Sequence, residues 1–316
     1  MVIREEFYLN ASNGGHNLFA AYWLDTEQSE YKGIFHIAHG MGENILKYDS
    51  FANALAINGY IVCGMDIAGH GRSIDSLEDF GYFGEGEDNC TFMVDDLFYL
   101  MKMMKQKFPE ASMYFIMGHS FGAYMVREFI IRYGSHIDGV CIMGTSDVIP
   151  GLDVAAMLCR VEVEIFGAKT EGTTIFRMGI DWLNRKFEPA RTDFDWICTD
   201  DAVIDKYFMG PDKKFAFTYG GYLNAYHLVK EVTSKEWFKN VRQDLPILIV
   251  SGEQDSLGDF GRGIKKVYNG LRKAGCRRVT MRLFAGCRHE LLSERRKADV
   301  YKYIINWTDK QVVRND

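Results

Sequence analysis

Short, almost wholly apolar runs alternate with amphipathic stretches along most of the chain. Residues 60–65, 114–117 and 247–250 carry apolar side chains at nearly every position, as strands do when helices cover both faces of a parallel sheet. The stretches between such runs have the helical period instead. In 92–108, Met93, Leu97, Leu100, Met101, Met104 and Phe108 recur at helical spacing with lysines between them, which predicts a helix laying a methionine stripe on the sheet. The same reading gives strands at 33–38 and 113–117 and helices at 48–58 and 123–133.

At the N-terminus, 6–11 and 17–24 mix apolar and polar residues around Asn13-Gly14-Gly15, a turn signal that predicts an antiparallel edge hairpin. From about 146 to 235 the alternation stops. The sequence there becomes helical and aromatic, with Trp182, Phe187, Trp196, Tyr207, Phe208, Phe215 and Phe217. The βα pattern resumes at 246–250, 259–274, 279–284 and 297–312. A piece with no strand repeat of its own packs on its host. The expected organisation is therefore an α/β core, discontinuous over 1–145 and 236–316, with a helical cap or lid insertion at 146–235. A chain of 316 residues hides roughly 75 % of its unfolded surface on folding, enough for one large α/β domain.

Charge narrows the partners. Lys and Arg total 37 against 43 Asp and Glu, a formal net charge of −6, and no sizeable basic block offers a nucleic-acid footprint. The cluster Arg295-Arg296-Lys297 falls where a C-terminal helix should begin, and a solvated helix face accounts for it. No apolar run approaches the ~20 residues needed to cross a bilayer, and the first residues carry no export signal. Seven scattered cysteines, none in a C-x-x-C arrangement, suit reduced thiols in a cytoplasm, and Cys63 and Cys141 read as small hydrophobes in strands.

The strongest chemical signal is Gly118-His119-Ser120-Phe121-Gly122, which follows one predicted strand and opens a predicted helix. That is the context of a nucleophile elbow: a serine on a strained turn, with small neighbours that let two backbone segments pass closely. The helix behind it aims unpaired N–H groups at the reaction centre. A serine hydroxyl needs a base, and the base needs an orienting acid. Asp255 sits in the turn after the 247–250 strand, with Glu253 and Asp259 as rivals, and His289 sits in the loop after 279–284. Residues beyond the C-terminal ends of neighbouring parallel strands converge on one sheet edge, so Ser120, Asp255 and His289 form the expected triad.

Other histidines are weaker bases. His16, His136 and His227 lie in loops or in the helical stretch, and His36 and His39 point to opposite faces of a strand, where they cannot share a metal. His119 is expected to point away from Ser120 and hold the turn. In His39-Gly40-Met41-Gly42 the glycines let the main chain approach an anion, and the amides of Met41 and Phe121 form the expected oxyanion hole, each such donor being worth ~3 kcal/mol in the transition state. The Asp66–Ser73 segment reads as a structural loop beneath the site, with Asp66 as a fallback acid.

Together these residues resemble the serine α/β-hydrolase superfamily, and within it the monoacylglycerol lipase and lysophospholipase-like branch. The likeness runs nearly end to end. It rests on His39-Gly40-Met41-Gly42-Glu43, Asp66 with Gly69-His70-Gly71-Arg72-Ser73, Gly118-His119-Ser120-Phe121-Gly122, Ser251-Gly252 with Asp255, and Gly286 with Arg288-His289-Glu290. Trp196-Ile197 with Asp200, Asp205-Lys206-Tyr207 and Phe215-Ala216-Phe217-Thr218 add to it. The resemblance implies an α/β-hydrolase fold, Ser120 as nucleophile, Asp255 as acid, His289 as base, and Met41 and Phe121 as oxyanion donors. The chain departs from the pattern at Asn44, Ile67-Ala68, Phe121 and Ser256, none of which removes a catalytic group.

The expected activity is cofactor-free and metal-free hydrolysis of a small-molecule carboxylic ester through an acyl-enzyme on Ser120, and the resemblance implies an acyl lipid, a monoacylglycerol or lysophospholipid, as the substrate. Aromatics of the insertion such as Trp182 and Phe217 are the candidate substrate contacts. Two alternatives stand beside it: an aminopeptidase of the same fold, for which Asp193, Asp195, Asp200 and Asp201 would hold a substrate ammonium, and a catalytically silent binding protein. An epoxide hydrolase or dehalogenase would want a carboxylate at position 120. The oligomeric state is not legible.

Overall fold

A computed structural model of the chain describes residues 1–84, 86, 90–209 and 214–313. The N-terminal hairpin pairs β1 (Val2–Asn10) with β2 (Asn17–Asp25) along its whole length, from Val2 opposite Asp25 to Asn10 opposite Asn17. β1 begins earlier than its pattern predicts. Arg4, Glu5 and Glu6 are exposed on this edge strand, so it lacks the apolar alternation that marks a half-buried strand.

The chain then alternates β3 (Gly33–Ala38), α1 (Asp49–Ile57), β4 (Tyr60–Met65), α2 (Cys90–Lys107), β5 (Tyr114–His119), α3 (Phe121–Tyr133) and β6 (Gly139–Met143). The helical stretch follows, with α4 (Leu152–Phe166), α5 (Thr173–Asn184), α6 (Asp201–Tyr207), α7 (Tyr219–Val232) and α8 (Lys235–Asn240). β7 (Ile247–Gly252), α9 (Arg262–Lys273), β8 (Val279–Phe284) and α10 (Lys297–Val312) complete the order. The helix expected from 259 starts at Arg262 because Asp259 and Phe260 take left-handed conformations, φ 51° and 53°.

Among the described residues, eight strands form one sheet in the order β1-β2-β4-β3-β5-β6-β7-β8. Both pairings of β2 are antiparallel and the rest are parallel. Alternate strand residues feed two cores. Ile34, Ile61, Ile116, Val140 and Ile249 join α2, α3, α7 and α9 on one face, whereas Phe35, Val62, Met117, Cys141 and Val250 join α1 and α10 on the other. That two-sided burial is why these strands read as continuous apolar runs. Among the described residues, no helix is long and apolar enough to cross a membrane.

A third, smaller cluster, with Ile180, Phe194, Trp196, Ile197 and Phe208, lies within the stretch between β6 and β7. Arg127 of α3 ties both ends of that stretch to the core. It is fully buried, its guanidinium donates to Ser146 O at 2.7 Å, to Thr145 Oγ1 at 3.2 Å and to Val232 O, and its plane lies 4.3 Å from the Trp237 ring. Burial lowers its pKa to about 10, which leaves it cationic at neutral pH. Replacing Arg127 by leucine strands two buried carbonyls, each costing about 1–3 kcal/mol. We expect urea unfolding to show about 3 kcal/mol of lost stability; an unchanged midpoint would mean that the clamp contributes nothing.

Candidate active site

Ser120 stands between the end of β5 and the first turn of α3. Its backbone has φ 53° and ψ −115°, a conformation that costs a non-glycine residue on the order of 1–3 kcal/mol. The neighbours explain how the turn is kept. A Cβ at Gly118 would lie 2.1 Å from Gly122 O, and one at Gly122 would lie 2.3 Å from Ala38 O. Neither position has room for a side chain. The Ser120 amide donates to Met143 O of β6 at 3.0 Å, which fixes the elbow to the sheet.

Asp255 lies in the turn after β7, fully buried. Its Oδ2 accepts from His289 Nδ1 at 3.0 Å and from Ser251 Oγ at 2.8 Å, and its Oδ1 accepts from the amides of Leu257 and Gly258 at 3.0 and 3.4 Å. Burial pushes this carboxyl up. The His289 charge and the hydrogen bonds from His289, Ser251 and Gly258 outweigh it and hold the group below its ordinary value. With Nδ1 donating to the carboxylate, His289 Nε2 is buried and has no partner. The rivals lie elsewhere: Asp259 pairs with Arg262 at 2.7 Å on the surface, Glu253 is exposed, and Asp66 accepts the amides of Ile45 and Arg72.

His289 is held from both sides by the helical stretch. Arg288 donates to Asp195 O and, at 3.2 Å, to Cys198 O, and the Glu290 amide donates to Ile197 O at 2.8 Å. The Trp196 ring lies 4.8 Å from the imidazole. The loop with Met41 packs on the serine, since a Cβ at Gly40 would lie 3.1 Å from Ser120 Cβ. The amides of Met41 and Phe121 have no partner among the described residues.

Beside this group is a buried charge cluster that sequence reasoning missed. Lys47 Nζ lies 2.6 Å from Glu43 Oε1 and 2.6 Å from Glu290 Oε2. Glu43 Oε2 also accepts from Tyr48 OH at 2.6 Å and from the Gly40 amide at 2.8 Å, with His119 Nδ1 at 3.4 Å. His119, expected to point away from Ser120, instead faces this cluster and lines the same cavity as the serine, its ring 4.9 Å from that of His289. Burial works against the His119 cation, but Glu290 and Glu43 raise its pKa to about 9. Burial likewise opposes the Glu43 anion, but Lys47 and His119 hold it well below the usual carboxylate range, whereas burial and the neighbouring Glu43 raise Glu290. Glu43, His119 and Glu290 place ligand-type atoms within 4.8 Å of one another, and the Lys47 ammonium already stands between the two carboxylates where a cation would go. The only sequence hint was the Glu43–Lys47 spacing on a turn and the position of Glu290 next to His289.

Ser120, His289 and Met41 line a cavity of about 50 Å³ closed by Phe176, Ile180, Phe194, Trp196, Phe208 and Phe215. Phe176, Phe194, Phe208 and Phe215 are shared with an outer cavity of about 400 Å³, whose mouth carries Arg177, Asp193, Glu171 and Lys214. Trp182 and Phe217, the two named as candidate substrate contacts, are not among these walls, whereas Trp196, Phe208 and Phe215 of the same aromatic stretch are. Phe217 is fully buried against Phe83, Phe121 and His70 in the main core, and Trp182 lies 5.1 Å from the Arg185 guanidinium. Composition marked the aromatic stretch, but which rings face inward depends on its tertiary packing.

A family model described as Serine aminopeptidase, S33 matches residues 29–296. The chain is similar to a monoglyceride lipase homolog of Monkeypox virus, 22% identical over 304 residues, covering 93% of this chain and 95% of that protein. It is similar to the monoglyceride lipase of Rattus norvegicus, 22% identical over 283 residues, covering 89% and 82%. Among solved structures, a carboxyl esterase from Bacillus coagulans superposes with a TM-score of 0.89 at 24% identity, covering 98% of this chain and 99% of that one.

Proposed function

Since the chain belongs to the serine aminopeptidase S33 family, we propose that within it this protein is a serine hydrolase of carboxylic esters, acting without a cofactor on acyl lipids of the monoacylglycerol or lysophospholipid class. Ser120 Oγ attacks the ester carbonyl while His289 Nε2 takes its proton, and the amides of Met41 and Phe121 receive the oxyanion. The tetrahedral intermediate collapses as His289 returns the proton to the leaving alcohol. Water, deprotonated by the same imidazole, then releases the fatty acid from the acyl-serine. Asp255 holds the imidazole in the tautomer this sequence of steps requires.

One observation carries the reading: the Asp255–His289 hydrogen bond at 3.0 Å leaves an unpartnered Nε2 on a ring that lines the same cavity as the strained Ser120. Chemistry around it favours an ester over an aminoacyl substrate. An aminopeptidase needs a free carboxylate for the substrate ammonium, yet Glu43 and Glu290 are engaged by Lys47. Asp193 pairs with Arg177, Asp195 accepts the amide of Arg191 and the hydroxyl of Thr192, Asp200 caps α6, and Asp201, exposed at the surface, lies 3.7 Å from Arg191. A silent binding protein would not need the full set of groups. The apolar walls suit an acyl chain, as do the relatives that carry the name monoglyceride lipase. In this reading 146–235 is the cap over Ser120, and seven buried cysteines outside any disulfide fit a cytoplasmic setting.

Monoacylglycerols and p-nitrophenyl esters of graded chain length, run beside aminoacyl-arylamides, test the proposal. The expected result is turnover of esters that rises with acyl length and no turnover of arylamides. Faster cleavage of arylamides would replace this reading with the peptidase.

A further inference from the structure

The mechanism above leaves Lys47 without a task, although it is the best connected buried cation near the site. Its side chain is 7% exposed. It donates to one carboxylate from each of two separate loops, Glu43 four residues away and Glu290 at a separation of 243. Each of those carboxylates sits beside a group the reaction uses. Glu43 accepts the Gly40 amide at 2.8 Å through its other oxygen, while its own amide donates back to Gly40 O at 3.3 Å. Gly40, the residue before Met41, is thereby held at both its N–H and its C=O. Glu290 follows His289 directly, and its amide is tied to Ile197 O.

The Lys47 ammonium also lies 4.9 Å from the centre of the Phe208 ring, and Phe208 is one of the rings that close the inner cavity. Lys47 is among the lining residues of neither cavity, whereas its partners Glu43 and Glu290 line the inner one, so it acts through them. We propose that Lys47 is a positioning residue that locks the oxyanion loop at Met41 to the loop carrying His289, setting their register across the sheet edge. The inference rests on the ester-hydrolase reading for its consequence, but the lock itself is a property of the two loops.

The physical case is one of connectivity. Between the 39–43 loop and the 286–290 loop, Lys47 is the cationic bridge, and both of its bonds are 2.6 Å charge-assisted contacts, the strong class of hydrogen bond in a dry setting. His119 Nδ1 also faces both carboxylates, at 3.4 and 3.8 Å, too long to substitute for the ammonium. Without Lys47 the two carboxylates repel, and each loop is free to settle alone. A displacement of about 1 Å between a nucleophile's base and its oxyanion donors costs about 10²-fold in rate.

Two variants separate positioning from mere charge neutrality. Lys47→Met keeps an unbranched apolar stem that ends one atom short of the ammonium, and leaves two carboxylates facing one imidazolium, a folding penalty in itself. Lys47→Met with Glu290→Gln removes one charge of each sign, so the buried cluster stays neutral and the fold is kept. For both, kcat for a medium-chain ester should fall about 10²-fold with KM within about twofold, as expected when an interaction in the transition state alone is lost. The low-field proton resonance of the His289 Nδ1–H should broaden or shift in each. If the double variant regains wild-type kcat, Lys47 serves only to balance charge and the inference fails. An unchanged His289 resonance in Lys47→Met overturns it as well, even for an enzyme inert toward esters. Inertness of the wild-type protein would instead remove the ester reading.

Discussion

Replacing Ser120 by alanine should lower kcat for ester hydrolysis by about 10⁶-fold, while the thermal unfolding midpoint should stay where it is. The size of the loss follows from the way a triad acts as a unit: without the attacking oxygen, base and acid have nothing to activate, and what remains is the roughly 10³–10⁴-fold assistance of the oxyanion donors and substrate binding. The lack of a stability effect follows from the geometry. The turn at position 120 is held by its amide bonding to Met143 O and by the close approach of Gly118 to Gly122, contacts to which the hydroxyl does not contribute. Alanine has the same Cβ and meets the same φ of 53°. The checks are initial rates on a monoacylglycerol, covalent labelling by a fluorophosphonate, and calorimetry. Labelling should vanish with activity. Equal rates in Ser120→Ala and wild type would remove Ser120 from the chemistry altogether.

Much of this was legible because it is written in local pattern. Strands buried on both faces must be apolar throughout, so β4 and β7 stand out. The elbow demands glycine at two fixed positions, because a Cβ at either would run into backbone at 2.1 to 2.3 Å. The turn after β7 is legible for the same reason: a Cβ at Gly252 would lie 2.0 Å from Arg288 O, so the strand end that leads to Asp255 must be bare where the His289 loop crosses it. Chain order supplied the rest, since parallel strands deliver their C-terminal loops to one edge.

What stayed hidden was long-range and buried. Nothing near Lys47 announces that its partner is 243 residues away, and a lysine at i, i+4 from a glutamate is more often a solvated pair than a buried one. Arg127 falls among the apolar residues of α3, where the helical period predicts a core position and gives no reason for a cation. Its acceptors are carbonyls at Ser146 and Val232, which only the folded chain brings together. The inward-facing rings were hidden too: Phe215 and Phe217 differ by two positions, yet one lines the cavity and the other packs in the core.

Asp255→Asn should lower kcat by about 10⁴-fold with KM and overall fold little changed, and the hydrogen-bond pattern around position 255 gives the reason. Oδ1 accepts two backbone amides, from Leu257 and Gly258, while Oδ2 faces His289 Nδ1 and Ser251 Oγ. An asparagine must keep its single oxygen toward the two amides, since turning the NH₂ there would set donors against donors. Its NH₂ then points at His289 and Ser251. Ser251 can accept in place of donating, so the fold tolerates the change. His289 Nδ1 can also accept, and the imidazole then carries its proton on Nε2, where it has no lone pair to take the proton of Ser120. The enzyme is left intact but in the wrong tautomer. Steady-state rates beside an unfolding curve measure both halves of this expectation. A loss below about tenfold, in a variant as stable as wild type, would mean that another group orients the imidazole, because an Asn in this socket can offer His289 only a donor.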